Sequence, residues 1–179
     1  MTGARQSATA RILGIDPGLR ITGFGIIESD GTSSSYVHSG SIRNTGSEAG
    51  MAQRLGLIFS QLTQIITRYQ PDEVAVEEVF VSRNISSALK LGHARGAIIS
   101  AAVQLQVPVS EYSARTVKQA VVGNGAASKQ QVQHMVLRLL GLRGELQADE
   151  ADALAVSLCH AHSSRLAGSF HASLSGIHA

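Results

Sequence analysis

Four carboxylates in this chain stand where an acid is costly. Asp16 closes the apolar run RILGID and is followed by Pro17 and Gly18. Glu77 and Glu78 lie inside VAVEEV. Strand alternation puts Val74, Val76 and Glu78 on one face and Ala75, Glu77 and Val79 on the other, so one of the two Glu residues must face inward or toward a cleft. Asp149 and Asp152 are three residues apart in QADEADALAV. At ~100° per residue they lie ~60° apart on one helix face. Each acid has an ordinary explanation by itself. An Asp before Pro-Gly caps a turn, a sheet-edge Glu pairs with Arg or Lys, and acids near a helix N-terminus favour its dipole. Taken together they say more. A buried carboxylate without a partner is strongly disfavoured, and a cation relieves that cost. Two strand acids and two same-face helix acids in a basic protein fit a divalent-metal site. Hard oxygen ligands suit Mg²⁺ or Mn²⁺.

The charge distribution points the same way. The net charge is only +2, yet the stretch from Arg83 to Arg138 holds seven basic residues and one acid, Glu111. The seven are Arg83, Lys90, Arg95, Arg115, Lys118, Lys129 and Arg138. Acids gather on either side, at Asp72, Glu73, Glu77 and Glu78 and again at Glu145, Asp149, Glu150 and Asp152. A basic segment between two acidic groups suggests a polyanion held beside a metal-binding site. The plain alternative is a solvated basic helix face with unrelated acids.

Two other motifs carry less. GNGAASK at 123–129 lacks the Gly-Lys-Ser/Thr of a Walker A loop and reads as a helix–helix turn. Its glycines beside Lys129 leave room for backbone amides to approach a phosphate. Cys159, His160 and His162 have the residue types of metal ligands, but on one helix they diverge, so they read as structural.

The elements that must position these residues follow from periodicity. Residues 11–16, 21–28 and 33–42 read as three strands with short links, the Asp30-Gly31 pair marking a hairpin turn. Residues 48–70 carry apolar positions at steps of three and four, ending at Pro71. A strand at 74–79, a helix over 84–106 and a short strand VPVSEY follow. Helices over 113–122, 128–140 and 148–162 close the pattern. The order β-β-β-α-β-α-β-α-α-α implies an α/β fold: a five-stranded mixed sheet, with a three-stranded antiparallel meander plus two parallel strands, and helices on both faces.

The 179 residues suit one domain, placed at 11–162 between a flexible leader over 1–10 and a disordered tail over 163–179. With 44% hydrophobic residues, 4% aromatic and no Trp, the core must be built from Ala, Val, Ile and Leu. No apolar run reaches the ~20 residues of a membrane span, and the polar start lacks a secretory signal. One cysteine cannot make an internal disulfide, so a reducing cytoplasmic setting is expected.

Five blocks carry a family resemblance: GIDPGLRITGFG, VAVEEVF, SALKLGHARG, RTVKQAVVGNGAASKQQVQHMV and QADEADALA. In this order, from about 11 to 162, they resemble the RuvC family of bacterial Holliday-junction resolvases in the ribonuclease H-like superfamily. GIDPG alone is weak, because other members of that superfamily carry similar strands; five blocks in one chain are highly specific. The resemblance implies a ribonuclease H-like fold and a homodimer. It implies Mg²⁺-dependent nicking of four-way DNA in recombination and repair, with two ions per subunit and Mn²⁺ as a substitute. It implies that Asp16, Glu77, Asp149 and Asp152 are the catalytic and metal-binding carboxylates, and it favours Glu77 over Glu78. It suggests that Lys118 and Lys129 contact DNA near the cut and that Phe80, otherwise a core residue, stacks on a base. Arg83, Lys90, Arg95 and Arg115 complete the expected DNA contacts, and the RuvA–RuvB branch-migration complex is the implied partner.

Two rival readings belong to other classes. An actin/Hsp70-like phosphotransferase also uses a Gly-Ile-Asp-x-Gly turn, but needs two such domains around a nucleotide cleft. A nonenzymatic junction-binding module predicts binding without metal-dependent cutting. A junction-cleavage assay with and without Mg²⁺ separates all three.

Overall fold

A computed structural model describes the backbone of residues 9–44, 50–78 and 85–175, with side chains described through residue 163. The meander is β1 (Ala10–Asp16), β2 (Ile21–Ser29) and β3 (Ser34–Arg43). Then come α1 (Met51–Tyr69), β4 (Glu73–Glu77), α2 (Ile85–Gln104) and β5 (Val109–Tyr112). The last three helices are α3 (Ala114–Val122), α4 (Lys129–Leu139) and α5 (Ala148–Ser175). The sheet order is β3-β2-β1-β4-β5. β1 pairs antiparallel with β2 and parallel with β4, and β4 runs parallel to β5. The expected mixed sheet is therefore present.

Alternation along the strands splits the core in two. Leu13, Ile15, Ile26, Val74 and Val76 point to one face, where Ile58, Leu62 and Ile66 of α1 and Ile98, Ala101 and Ala102 of α2 cover them. Ile12, Ile27 and Ala75 point to the other face and meet α5. There α5 is buried all round from Ala153 to Ala161, because α3 and α4 lie over it. Helix α5 is thus the middle of three layers on that side.

What lets α5 lie so close is a set of glycines. A Cβ on Gly14 would sit 2.3 Å from the Ala153 carbonyl oxygen, and one on Gly23 would sit 2.0 Å from that of Asp149. A Cβ on Gly25 would sit 2.6 Å from Leu154 Cγ. Gly14 and Gly25 face each other across the β1–β2 ladder. The glycines of GIDPG and GFG therefore form a trough in the sheet that seats the helix backbone.

Three sequence expectations shift. Strand β4 ends at Glu77, so Glu78 lies beyond the pleat. Strand β1 begins at Ala10, inside the expected leader, whose first eight residues lie outside the described ones. Helix α5 runs on to Ser175 instead of stopping near 162, and does so through Arg165, Leu166 and Ala167, all good helix formers. No helix among the described residues is long and apolar enough to cross a membrane.

Candidate active site

The parallel register sets Ile15 beside Val76, so the next residues on each strand, Asp16 and Glu77, emerge side by side at the carboxyl ends of β1 and β4. Both have the parity of Ala75 and Gly14, the face covered by α5. Helix α5 brings Asp152 to the same place. The three acids line one cleft with Pro17, Glu78, Leu91, Ala114, Val117, Lys118, Lys129, Val132 and Ala155. Its volume, about 310 Å³, admits a phosphodiester and its neighbours but no duplex arm.

The two lysines arrive on helices whose starts are fixed locally. Ser113 caps α3, its hydroxyl accepting from the Thr116 amide, and Lys118 follows within that helix. Lys129 is the first residue of α4. A capping box holds that start, with Ser128 Oγ accepting from the Gln131 amide and the Ser128 amide donating to Gln131 Oε1 at 2.8 Å. The Gly-rich segment between them is the expected turn. Gly123 takes φ +79° at the end of α3, and the Gly125 amide donates to Gln119 Oε1. Lys129 Nζ then donates to Asp152 Oδ2 at 3.0 Å.

Crowding of like charges governs the acids. Burial, then the charges of Glu77 and Asp152, push the Asp16 carboxyl up to about 7, with Lys129 opposing. Burial and Asp152 also raise Glu77, against a hydrogen bond from Asp16 and the two lysines. Both carboxyls are thus pushed toward the protonated form. The hydrogen bond and charge of Asp152 raise Lys129, which keeps its positive charge.

This arrangement has a consequence for stability. The Asp16 carboxyl titrates near 7 in the fold and near 3.8 unfolded. Between those values the folded chain binds more protons, so the stability of the metal-free protein falls as pH rises through that window. Asp16→Asn removes the penalty. Thermal unfolding in a chelator should show the variant melting above the parent at pH 8 and level with it below about pH 4. Equal melting temperatures at pH 8 would count against a crowded carboxylate pair.

Asp149 is placed differently from the other three. It lies in the first turn of α5, with its backbone over Gly23, and does not line the cleft. Its Oδ2 is buried without a hydrogen bond, and Arg43 Nη2 approaches to 4.0 Å. Among the described residues no three His, Cys, Asp or Glu side chains converge at the spacing of a loaded ion site. The donor set nevertheless has the chemistry of one. Hard oxygens repel one another there, a lysine ammonium lies against one of them, and a buried carboxylate oxygen makes no hydrogen bond.

The basic residues divide. Lys118 and Lys129 reach the cleft, and Lys90 lines a second concavity beside it. Arg95 is ion-paired with Glu111, and the Arg115 side chain packs against Gly125 away from the cleft lining. Phe80 and Arg83 lie outside the described residues. Counting charge over 83–138 passes over Arg20 and Arg54, which also line the second concavity. The signal for Arg20 was its place in GIDPGLR, four residues after Asp16. Cys159 is buried and free, His160 bonds Tyr112 Oη and Glu73, and His162 bonds the Ala120 carbonyl. Their different partners fit the structural reading.

The chain is similar to known proteins over most of its length. The family model for crossover junction endodeoxyribonuclease RuvC matches residues 12–160. The crossover junction endodeoxyribonuclease RuvC of Photobacterium profundum is 57% identical over 151 residues, 84% of this chain and 86% of that protein. That of Yersinia enterocolitica is 56% identical over 156 residues, 87% and 89% of the two chains. Among solved structures, Thermus thermophilus RuvC in complex with Holliday junction substrate superposes with a TM-score of 0.83 at 36% identity, covering 88% of this chain and 96% of that one. On this evidence the chain belongs to the RuvC family of crossover junction endodeoxyribonucleases.

Proposed function

We propose that this crossover junction endodeoxyribonuclease cuts the four-way DNA junction by metal-assisted hydrolysis in the Asp16–Glu77–Asp152 cleft. The observation that carries the reading is the trio of crowded carboxylates at one end of the sheet, with two lysines around it. Asp16, Glu77 and Asp152 are the proposed Mg²⁺ ligands. Asp149 is the proposed fourth, supported by its buried Oδ2, which makes no hydrogen bond and has only Arg43 at 4.0 Å. Divalent cations held by these acids would supply an activated water and stabilise the leaving oxygen. The chain's own residues do the rest. Asp16 must be ionised to hold a cation, which pH above about 7 favours. Lys129 is held on Asp152 and is free to turn to a phosphate oxygen once the acids are neutralised. Lys118 stands on the opposite helix, where its charge offsets what builds on the scissile phosphate. The apolar wall of Leu91, Val117, Val132 and Ala155 limits water around the reacting group. Hydrolysis in this sense leaves a 5′-phosphate and a 3′-hydroxyl, which a ligase can seal.

Two nicks of like polarity are needed to resolve a junction, and among the described residues each chain has one carboxylate-lined cleft. The proposal therefore includes a twofold homodimer. Support comes from α2, which exposes Ile85 at 71%, Leu89 at 60% and Val103 at 60%. The branch-migration partner RuvA–RuvB and a cytoplasmic setting complete the reading. Its test pairs junction cleavage with and without Mg²⁺ with sedimentation at micromolar concentration. Paired symmetric nicks by a dimer, only with the metal, are expected. Binding without any metal-dependent cut would sink the nuclease mechanism, and a stable monomer that makes one nick and dissociates would sink the dimer.

Lys118→Ala and Lys129→Ala should lower the single-turnover cleavage rate more than junction affinity. The basic surface offers redundant phosphate contacts, so one loss weakens binding modestly. A charge at the scissile phosphate acts mainly in the transition state. Equal losses in rate and affinity would make the two lysines ordinary backbone contacts.

A further inference from the structure

Helix α5 meets strand β4 at both ends of the strand. At the cleft end Asp152 faces Glu77, and its charge pushes that carboxyl up. At the other end His160 meets Glu73. The His160 side chain is 4% exposed, with Nε2 bonded to Glu73 Oε2 and Nδ1 2.8 Å from Tyr112 Oη. The phenol and imidazole rings meet edge to face, their centroids 5.7 Å apart. A carboxylate only accepts, so Nε2 donates to Glu73, and in the neutral ring Nδ1 accepts from the Tyr112 hydroxyl. Glu73 opens β4 and Tyr112 closes β5, so one side chain of the helix ties two parallel strands.

The two meetings are matched in length. Glu73 and Glu77 stand ~13 Å apart along an extended strand, and Asp152 and His160 stand ~12 Å apart along a helix. Helix α5 therefore runs along β4, antiparallel to it, with repulsion at one end and attraction at the other. The seat between is smooth. Gly14, Gly23 and Gly25 limit how closely α5 approaches, but glycines offer no side chains against sliding along its axis. Apolar contact is non-directional, whereas a hydrogen bond weakens when it is stretched or bent. The bonds of His160 supply the direction that the trough lacks.

We propose that His160, held between Glu73 and Tyr112, is a positioning residue that fixes where α5 stands along β4, and through it the separation of Asp152 from Asp16 and Glu77. The inference rests on the nuclease reading only in taking Asp152 as a cation ligand. Like charges in the cleft push the start of α5 away from the strand ends. The bonds of His160, just over two turns further on, hold the helix against that push. Without them the acids stand further apart, and an incoming cation must first draw them together, which weakens its binding.

The test uses the full-length protein at room temperature and Mn²⁺, whose free ion is counted by electron paramagnetic resonance. Asp152→Asn identifies the ions held in the cleft. Two variants break the tie. His160→Leu keeps the bulk of the ring, and Glu73→Ala acts on a side chain that is 39% exposed, which keeps the test open if the first variant does not fold. Glu73→Gln is the conservative change, because its amide oxygen still accepts from Nε2. Breaking the tie should weaken Mn²⁺ binding in the cleft roughly tenfold, while Glu73→Gln stays within about twofold of the parent. Single-turnover cleavage should split in the same way. The Mn²⁺ concentration for half the maximal rate should rise roughly tenfold, and the rate at saturating Mn²⁺ should stay within about threefold, since bound ions draw the acids together at a cost in affinity. Unchanged Mn²⁺ affinity in Glu73→Ala, with only a lower melting temperature, overturns the proposal and leaves the tie a stabiliser alone. Glu73→Gln as damaged as Glu73→Ala overturns it too, since the loss would follow the charge and not the bond. The two readings fail separately. A parent that binds Mn²⁺ no better than Asp152→Asn overturns the cleft as a metal site. A parent whose ions are lost in Asp152→Asn and kept in Glu73→Ala overturns the positioning role alone.

Discussion

Asp16→Asn, Glu77→Gln and Asp152→Asn should each cut four-way junctions at least about a hundredfold more slowly than the parent while binding them as well. Each change deletes a negative oxygen and keeps the shape of the side chain. Losing one preorganised electrostatic group in an active site costs about 10²–10³ in rate, and these three share one cleft. Binding should survive because the cations that meet phosphates are untouched, and removing a negative charge from an anion-binding surface does not weaken it. Asp149→Asn should also be severe, through its buried oxygen. Glu78→Gln is the internal control, since Glu78 is exposed at the rim beyond the end of β4. Single-turnover cleavage and gel-shift titration of the same junction read the two effects apart. If Glu78→Gln were dead while Glu77→Gln cut normally, the strand parity that puts Glu77 toward α5 would be wrong.

Gly14→Ala should be a strongly damaging single-methyl change. The added carbon would fall 2.3 Å from the Ala153 carbonyl oxygen and 2.5 Å from the Ser157 amide nitrogen. Both neighbours are helix backbone and cannot rotate aside, so α5 must lift. Overpacking of this kind costs about 1–3 kcal/mol, and occasionally more. Lifting α5 also carries Asp152 away from Asp16. The variant should therefore melt several degrees lower and cut more slowly even at temperatures where it is fully folded. Gly56→Ala, where a Cβ would meet nothing within 4 Å, should do neither. Thermal unfolding with cleavage at 20 °C checks the pair. A Gly14→Ala protein that is as stable and active as the parent would show that α5 does not rest on this trough.

How much of this was readable in the residues varies from element to element. The meander was legible because alternation, Asp30-Gly31 and the short links leave few other arrangements. The pairing of Asp16 with Glu77 was nearly legible, since each ends an apolar strand and parallel strands bring like ends together. Asp149 was harder. A helix wheel places it near Asp152, but the wheel omits the rise of a turn along the axis. That rise carries Asp149 to β3 and Arg43, outside the cleft. The trough was not legible at all. A glycine in a strand reads as weakness or a bulge until the helix that needs the space is known. Charge counting failed for a related reason. It cannot show that Glu111 occupies Arg95, or that Arg20 and Arg54 come from two distant segments to line one concavity.

The three cleft acids come from the first strand, the fourth strand and the final helix. A growing chain that has released everything through α4 carries Asp16 and Glu77 but lacks Asp152. It also lacks the slab that fills one face of its sheet. The last contacts to form are the long-range ones between α5 and β1, which close the loop of the whole fold and are the slow kind. The third carboxylate and the closed core therefore arrive with the same helix, so a chain without α5 holds neither.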